Sequence, residues 1–401
     1  MREEQSDPMI VVVGIGADGM AGLSAVSRAE LARATVIYGS PRQLELLDDS
    51  VPAPRRPWPT PMLPAVRTLL DGSDGGDVHV VASGDPLLHG IGNTLIRLYG
   101  PEVVAVLPHV SSVTLACARV GWAVQDTEII SLVTAKAHTA VRRGGQAVVL
   151  SHDGSSPATL ARLLAEIGRG DSELTVLEQL GGGRERRRSA TAREWADRPP
   201  HDIDPLNVMA VRYLPDDRLT QVLPDDAFAH DGQLTKQSIR ALVLVALAPR
   251  PGELLWDVGS GSGSIAVEWC RSGSGCTAVA FERDGVRRAR IEDNAIGNGA
   301  AVEVRGAAPA HFEGAPEPAA VFVGGGLTHP GLLDGCLDRL PVGGRLVANV
   351  VTVESEALIY QWYSRLGGTL RRFQHYRGEP VGGFTGWRPA MPITQWAVTK
   401  R

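Results

Sequence analysis

Trp256-Asp257-Val258-Gly259-Ser260-Gly261-Ser262-Gly263 decides how this chain is read. The stretch closes an apolar strand expected at Leu254 to Asp257 and opens a helix. Its three glycines therefore let a ligand approach bare backbone. The next strand, expected at Ala278 to Glu282, ends in an acid 19 residues beyond Gly263, where a carboxylate can accept hydrogen bonds from a ribose diol. Asp257, inside the strand end, adds negative charge beside the turn. That suits a ligand bearing a sulfonium and an ammonium better than a pyrophosphate.

Gly14-Ile15-Gly16-Ala17-Asp18-Gly19 also follows an apolar strand and formally matches G-x-G-x-x-G. A dinucleotide fold then needs an acid about 20 residues on. The second strand instead ends Val36-Ile37-Tyr38-Gly39-Ser40, so the dinucleotide reading fails there. The later turn, with its D-x-G-x-G-x-G spacing, has the form seen in enzymes that use S-adenosyl-L-methionine (AdoMet), and AdoMet is favoured over a dinucleotide.

At 401 residues, the chain suits two or three domains of about 150 residues each. With 43% hydrophobic and 21% charged residues it is too apolar for a disordered protein. A net charge of −5 argues against a general nucleic-acid binder. Among 40 basic residues only Lys136, Lys236 and Lys400 are lysines, and so many arginines suit a partner carrying several carboxylates. Cys117, Cys270, Cys276 and Cys336 lack paired metal-ligand spacing. They read as reduced thiols of a cytoplasmic protein with no metal site. Met1 to Asp7 is polar and acidic, unlike a signal peptide. No apolar run approaches the ~18 residues of a membrane span.

Strands alternating with helical stretches give an α/β protein. In the N-terminal part, strands are expected at Met9 to Val13, Thr35 to Tyr38, Val78 to Ala82 and Val103 to Leu107, with a helix over Leu23 to Ala34. Further strands at Ala147 to Leu150, Leu174 to Leu177 and Val208 to Val211 make a second lobe after about Pro108. Pro215 to Gly232, with paired acids and no sustained periodicity, reads as a linker. The resulting division is residues 1–214, a linker over 215–230, and 231–401. The last part reads as a doubly wound, Rossmann-like sheet whose late runs, Thr369 to Tyr376 and Thr394 to Thr399, form an antiparallel edge joined by a Gly/Pro-rich loop.

Further strings carry a family resemblance. In the first half they are Val12 to Gly19, Ser83-Gly84-Asp85-Pro86, Leu107-Pro108 with Ser111-Ser112, Ala118 to Trp122 and Leu177 to Gly182. In the second half they are Thr235-Lys236, Trp256 to Gly263, Phe281 to Asp284, Gly343 to Asn349 and Gly382-Gly383-Phe384-Thr385-Gly386-Trp387-Arg388-Pro389. Over about residues 9–212 and 229–401 the chain resembles the fused precorrin-6Y methyltransferase (decarboxylating) family of cobalamin biosynthesis. The resemblance implies a tetrapyrrole methylase fold followed by a class I AdoMet methyltransferase fold. It implies methylation of a precorrin at carbons 5 and 15 and loss of CO2 from the ring C acetate, to give precorrin-8X with two AdoMet consumed. The first domain would methylate carbon 5 and the second would act at carbon 15 and decarboxylate. A homo-oligomer is expected.

The cofactor residues so implied are Thr235, Asp257, Gly259, Ser260, Gly261, Ser262, Gly263, Glu282 and Ala308, with Gly14, Gly16, Ser83, Gly84, Asp85, Ser111 and Ser112 in the first domain. Three strings depart from the family pattern. Gly306-Ala307-Ala308-Pro309 has alanine where an acid is usual, which leaves adenine recognition to backbone near Ala308. Val133 to Ala137 replaces a His-Gly-Arg-Pro-like string, and His109-Val110 replaces a small pair. Neither methyl transfer to an enamine-like meso carbon nor decarboxylation into the ring system demands a metal or a covalent nucleophile. Glu354 and Glu356, at the carboxyl end of the fifth strand, and Arg388, in the basic C-terminal stretch, are the catalytic candidates. The rival readings are a cobalt-bearing substrate, an RNA or small-molecule AdoMet methyltransferase, and a non-catalytic AdoMet or tetrapyrrole carrier.

Overall fold

Ile10–Ile15 (β1) is apolar along its length, and a strand can be so only where both faces are covered. In the computed structural model, which describes residues 10–63, 66–67, 78–216 and 221–401, all six of its residues are buried. The chain forms two compact units, one of residues up to Leu214 apart from Val141–Arg143, the other built from Pro215–Arg401. The acidic start Met1 to Asp7, Met9 of the first expected strand and residues 217–220 of the expected linker lie outside the described residues.

The first unit holds two sheets. β2 (Ile37–Gly39), β3 (Arg55–Pro57), β4 (Val78–Ser83) and β5 (Val104–Leu107) join β1 in a parallel sheet of order β3-β2-β4-β1-β5. β6 (Glu128–Ser131), β7 (Gln146–Leu150), β8 (Glu173–Glu178), β9 (Arg186–Thr191) and β10 (Asn207–Arg212) form the other, in order β6-β7-β10-β8-β9 and parallel only at β6–β7. These are the two lobes expected either side of Pro108. The first helix is shorter than Leu23 to Ala34. The Ser24 hydroxyl accepts the Ser27 amide at 3.1 Å and caps a helix of Ala25–Ala32, which a 3-10 turn at Gly19–Gly22 precedes.

The second unit is doubly wound. β11 (Leu254–Val258), β12 (Thr277–Phe281), β13 (Val302–Arg305), β14 (Ala320–Val323) and β15 (Arg345–Val350) run parallel. They are extended by β16 (Thr369–Phe373), and β17 (Tyr376–Val381) and β18 (Phe384–Pro389) intervene before β19 (Ile393–Thr399). The sheet order is β13-β12-β11-β14-β15-β19-β16, with β19 antiparallel to both neighbours. β11 is the switch point: chain order runs one way from it to β12 and the other way to β14, which opens a crevice at the carboxyl ends. Beneath that edge Trp256 packs against Phe281 and Phe312, with ring centroids 5.1 and 4.7 Å away. Its indole N–H donates to the Pro316 carbonyl at 2.9 Å, so the ring is buried without an unpaired donor.

Two expectations are corrected here. The Gly/Pro-rich stretch before β19 is not a loop but a hairpin, β17–β18, turning through Gly382-Gly383 as its own two-stranded sheet. Gly382, at φ +61°, supplies the left-handed conformation that a two-residue hairpin turn needs. The second correction concerns the linker. From Leu223 onward it is part of the second unit: Leu223 and Phe228 are buried with Leu234, Val267, Ala295 and Ala300. Two isolated apolar residues among acids show no period, yet each fills a hole in the surface of the sheet's helices.

Arg240 holds this segment. It is fully buried, with Nε 3.3 Å from Glu268 Oε1 and Nη1 2.8 Å from Asp225 Oδ1. It also donates to the carbonyls of Thr235 and Leu223 and lies 4.8 Å over the Phe228 ring. Glu268 is buried as well, and burial pushes its carboxyl up from the ordinary range against the pull of Arg240. Removing one partner of such a pair strands the other. Arg240→Ala should therefore destabilise the second unit by about 3–5 kcal/mol, measured as a lowered urea midpoint in circular dichroism.

Candidate active site

The turn after β11 is built around left-handed backbone. Gly259, Gly261 and Gly263 have φ of +67°, +61° and +76°, values that cost other residues strain. A Cβ at Gly259 would lie 2.7 Å from the backbone of Gly325, on the loop after β14, and one at Gly263 would lie 2.7 Å from Ile291 Cγ2. At Gly261 a Cβ would meet nothing within 4 Å. Two glycines thus serve packing, while the third faces open space. The amides of Gly259 and Ser260 both donate to the Phe281 carbonyl, at 3.0 and 3.2 Å, binding the turn to the end of β12. Ser262 is buried, and the helix Ser264–Arg271 starts from Gly263.

Both acids meet this turn. Asp257 is buried, and its Oδ2 accepts the Ser260 hydroxyl at 2.7 Å and the Ala266 amide at 3.1 Å. Its Oδ1 is buried with no hydrogen-bond partner. Burial pushes the carboxyl up to about 6, against its two hydrogen bonds and with some help from the nearby charge of Glu282. Glu282, also buried, accepts the Gly261 amide at Oε2 (2.9 Å) and the Asp284 amide at Oε1 (3.0 Å). Each oxygen keeps acceptor capacity for a hydroxyl. An orphaned buried acceptor, open space over Gly261 and, among the described residues, no paired cation at either acid fit a ligand that brings positive charge and a diol.

The other candidates are more spread out. Thr235 precedes the helix Gln237–Leu247, its carbonyl held by Arg240. Ala308, in the loop after β13, is half-buried against the Trp256 cluster. The neighbouring Ala307 carbonyl accepts the His311 amide at 3.1 Å. Glu354 is exposed in the first turn of the helix Val353–Leu366. In the same turn, Glu356 Oε1 takes the Thr394 hydroxyl at 2.6 Å and Arg372 at 3.1 Å. Arg388 lies apart on the hairpin and pairs with Glu379 at 3.1 Å, as Arg377 does at 3.4 Å. Among the described residues no hydrogen bond or ion pair joins Glu356 to Arg388. Sequence reasoning missed Asn349 and Gln395, joined at 3.1 Å across β15 and β19, and Asn294. The last has a signal only in three dimensions.

In the first unit the carboxyl ends of β1, β4 and β5 converge. The Gly84 amide donates to the Ile15 carbonyl at 2.9 Å and the His109 amide to the Gly84 carbonyl at 3.3 Å. A Cβ on Gly14 would collide with the Gly84 carbonyl oxygen, and one on Gly16 would lie 3.1 Å from His109 Cε1. The Ser83 hydroxyl meets Arg42 and Gln43 at 2.6 and 2.9 Å. Asp85 accepts the Leu87 amide at 2.9 Å and so serves its own turn. The Ser111 hydroxyl accepts the Thr114 amide at 3.1 Å and caps the helix Ser112–Val120. His109 Nε2 stands 3.5 Å from Asp18 Oδ1. Neither Asp18 nor His109 was selected as a site residue from sequence.

The second unit thus has the class I methyltransferase fold with its glycine turn at the switch point, and the chain is a methyltransferase. Residues 226–400 match the precorrin methyltransferase domain family, and residues 9–196 match the tetrapyrrole (corrin/porphyrin) methylases. A protein of Mycobacterium tuberculosis named precorrin-6Y C(5,15)-methyltransferase [decarboxylating] is 69% identical over 393 residues, covering 98% of this chain and 100% of that one. One of the same name from a Sinorhizobium species is 42% identical over 98% of this chain and 97% of its own length. The solved C-terminal domain of the Rhodobacter capsulatus precorrin-6Y C5,15-methyltransferase is 44% identical, covers 45% of this chain and all of that one, and has a TM-score of 0.43. The chain belongs to the precorrin-6Y C(5,15)-methyltransferase [decarboxylating] family. No helix among the described residues is long and apolar enough to cross a membrane.

Asp257 gives the site a pH dependence. Above about 6 its carboxylate is charged and attracts a cationic ligand, and below that value it is neutral. AdoMet affinity should therefore hold steady above about pH 6 and fall below it; Asp257→Asn should bind more weakly and lose that step, as read by calorimetry across pH. Glu282→Ala removes a charge-assisted contact. It should weaken AdoMet by about 1.5–3 kcal/mol, with fluorescence or calorimetric titration as the measurement.

Proposed function

We propose that the chain uses two AdoMet to methylate a precorrin at carbons 5 and 15 and decarboxylates the ring C acetate; the names of its relatives give C(5,15) methylation of precorrin-6Y with decarboxylation for those proteins. The observation that carries this reading is the Asp257–Glu282 pair flanking the open face of Gly261. AdoMet, when bound, supplies a methyl group on a sulfonium sulfur. The chain's own part is to hold, orient and exclude water. Asp257 Oδ1 offers negative charge at the turn, Glu282 accepts from hydroxyls, and backbone near Ala308 takes the base. Thr235 and Ser260 to Gly263 complete the wall. Fixing donor and acceptor in line accounts for much of the barrier to methyl transfer.

The substrate's acetates and propionates need cations. Arg377 and Arg388 stand exposed on the β17–β18 hairpin, which follows β16, a strand that runs parallel to β11 and ends at the same end of the sheet. We assign them to those carboxylates. Glu354, exposed at the carboxyl end of β15, is assigned to accept a proton from the methylated ring, while Glu356 braces the helix start through Thr394. In the first unit, Gly14, Gly16, Ser83 to Asp85, Ser111 and Ser112 would hold the second AdoMet for carbon 5. The substrate is read as metal-free. The protein is read as a cytoplasmic homo-oligomer that does not act on nucleic acid.

The test separates the two sites within the full chain. Gly261→Asp places a carboxylate in the space open over the turn and should abolish carbon-15 methylation and, with it, decarboxylation, because the new methyl alters the conjugation that receives the electrons. Carbon-5 methylation should persist on substrate already methylated at carbon 15. Mass spectrometry of products from metal-free and cobalt-bearing precorrins reads each event separately. A Gly261→Asp chain that still methylates carbon 15 would refute the assignment.

A further inference from the structure

The segment before the helix Gln237–Leu247 is tied to the glycine turn by one buried side chain. Asn294, in the helix Gly285–Gly297, is 5% exposed. Its Oδ1 accepts the Ala229 amide at 2.8 Å, and its Nδ2 donates to the Ala229 carbonyl at 3.0 Å and to the Ser262 carbonyl at 2.8 Å. One carboxamide thus spans the segment and the turn. One helical turn earlier on the same face, Ile291 packs where a Gly263 Cβ would be. The segment is fixed elsewhere too: the Leu223 amide donates to Glu268 at 2.8 Å, Asn298 Nδ2 to the Ala227 carbonyl at 3.4 Å, and Arg287 Nε to Asp231 at 2.8 Å. Its far end carries Thr235, whose carbonyl Arg240 holds.

We propose that Asn294 is a positioning residue of the cofactor site, locking the Ser262 carbonyl to the strap of residues 221–236 so that AdoMet binding at Gly259–Gly263 and ordering of the strap depend on each other. This rests on the AdoMet reading of the turn. The Ser262 carbonyl shares its peptide plane with the Gly263 amide, which closes the turn on the Ser260 carbonyl at 2.9 Å, so its direction fixes the path of the turn between Gly261 and Gly263. Losing the Asn294 donor frees the Ser262 peptide to rotate. The coupling must be reciprocal, because what the strap does for the ligand, the ligand does for the strap.

The experiment uses the full chain with AdoMet as probe. Calorimetry should resolve two sites, of which Gly261→Asp removes one. If Gly261→Asp removes neither, the AdoMet reading of this turn fails, independently of Asn294. At the site it does remove, Asn294→Asp, which keeps an acceptor for the Ala229 amide but loses both donations, should raise Kd about tenfold, and Asn294→Leu more than tenfold. The KM for AdoMet should rise likewise with kcat little changed. Hydrogen exchange on the unsubstituted chain supplies the second readout: AdoMet should slow exchange of the Ala229 peptide, and in Asn294→Asp that slowing should disappear. A merely structural role would lower the melting temperature and leave the Kd of the folded protein unchanged. An unaltered Kd in a folded Asn294 variant, or strap exchange indifferent to AdoMet in the unsubstituted chain, overturns the proposal; the latter needs no substitution and so holds even where a variant does not fold.

Discussion

Between β11 and the following helix the backbone turns left-handed at three alternate positions, and the site of the second unit depends on that turn. Were the chain to pass in the right-handed region, the Gly259 and Ser260 amides could not both reach the Phe281 carbonyl, nor the Gly261 amide reach Glu282. The turn is therefore a fold element that leaves one face, over Gly261, open. Its packing glycines, Gly259 and Gly263, are fixed by neighbours within van der Waals range, whereas Gly261 is fixed by backbone conformation alone. Any larger residue here pays in strain, in space, or in both.

Charge is distributed with the same selectivity. Elsewhere in the second unit buried or half-buried acids are matched by arginine: Glu268 by Arg240, Glu253 by Arg345, Glu356 by Arg372. At the turn Asp257 and Glu282 are held, among the described residues, by hydroxyl and amide donors only. An arginine there would have neutralised the field that favours a cation. The cost of leaving Asp257 without a counter-charge shows in its weakened acidity.

Much of this was legible in the sequence because fully buried parallel strands must read as continuous apolar runs. β1, β11, β12 and β14 do so, and the spacing from Gly263 to Glu282 located the acid that binds the Gly261 amide. Part of what escaped was exposed. β9 (Arg-Arg-Arg-Ser-Ala-Thr) is an edge strand whose arginines protect it from further pairing and erase any apolar period. In β17–β18 the large apolar groups Phe384 and Trp387 face solvent, so alternation pointed to no core. The Gly382-Gly383 pair was the available hairpin signal. Leu223 and Phe228 were read as linker because single apolar residues carry no period. Asn294 has no pattern at all in one dimension, since its partners are carbonyls 65 and 32 residues away.

The weakened acidity of Asp257 has a consequence for the heat exchanged on binding. Near pH 6 the free site is a mixture of protonated and ionised forms. A cationic ligand that selects the ionised form expels the proton into the buffer. Loading is then accompanied by fractional proton release, and the apparent enthalpy near pH 6 takes on the ionisation heat of whichever buffer receives it. Well above pH 6 the same association is proton-neutral at this group, so its enthalpy no longer depends on the buffer.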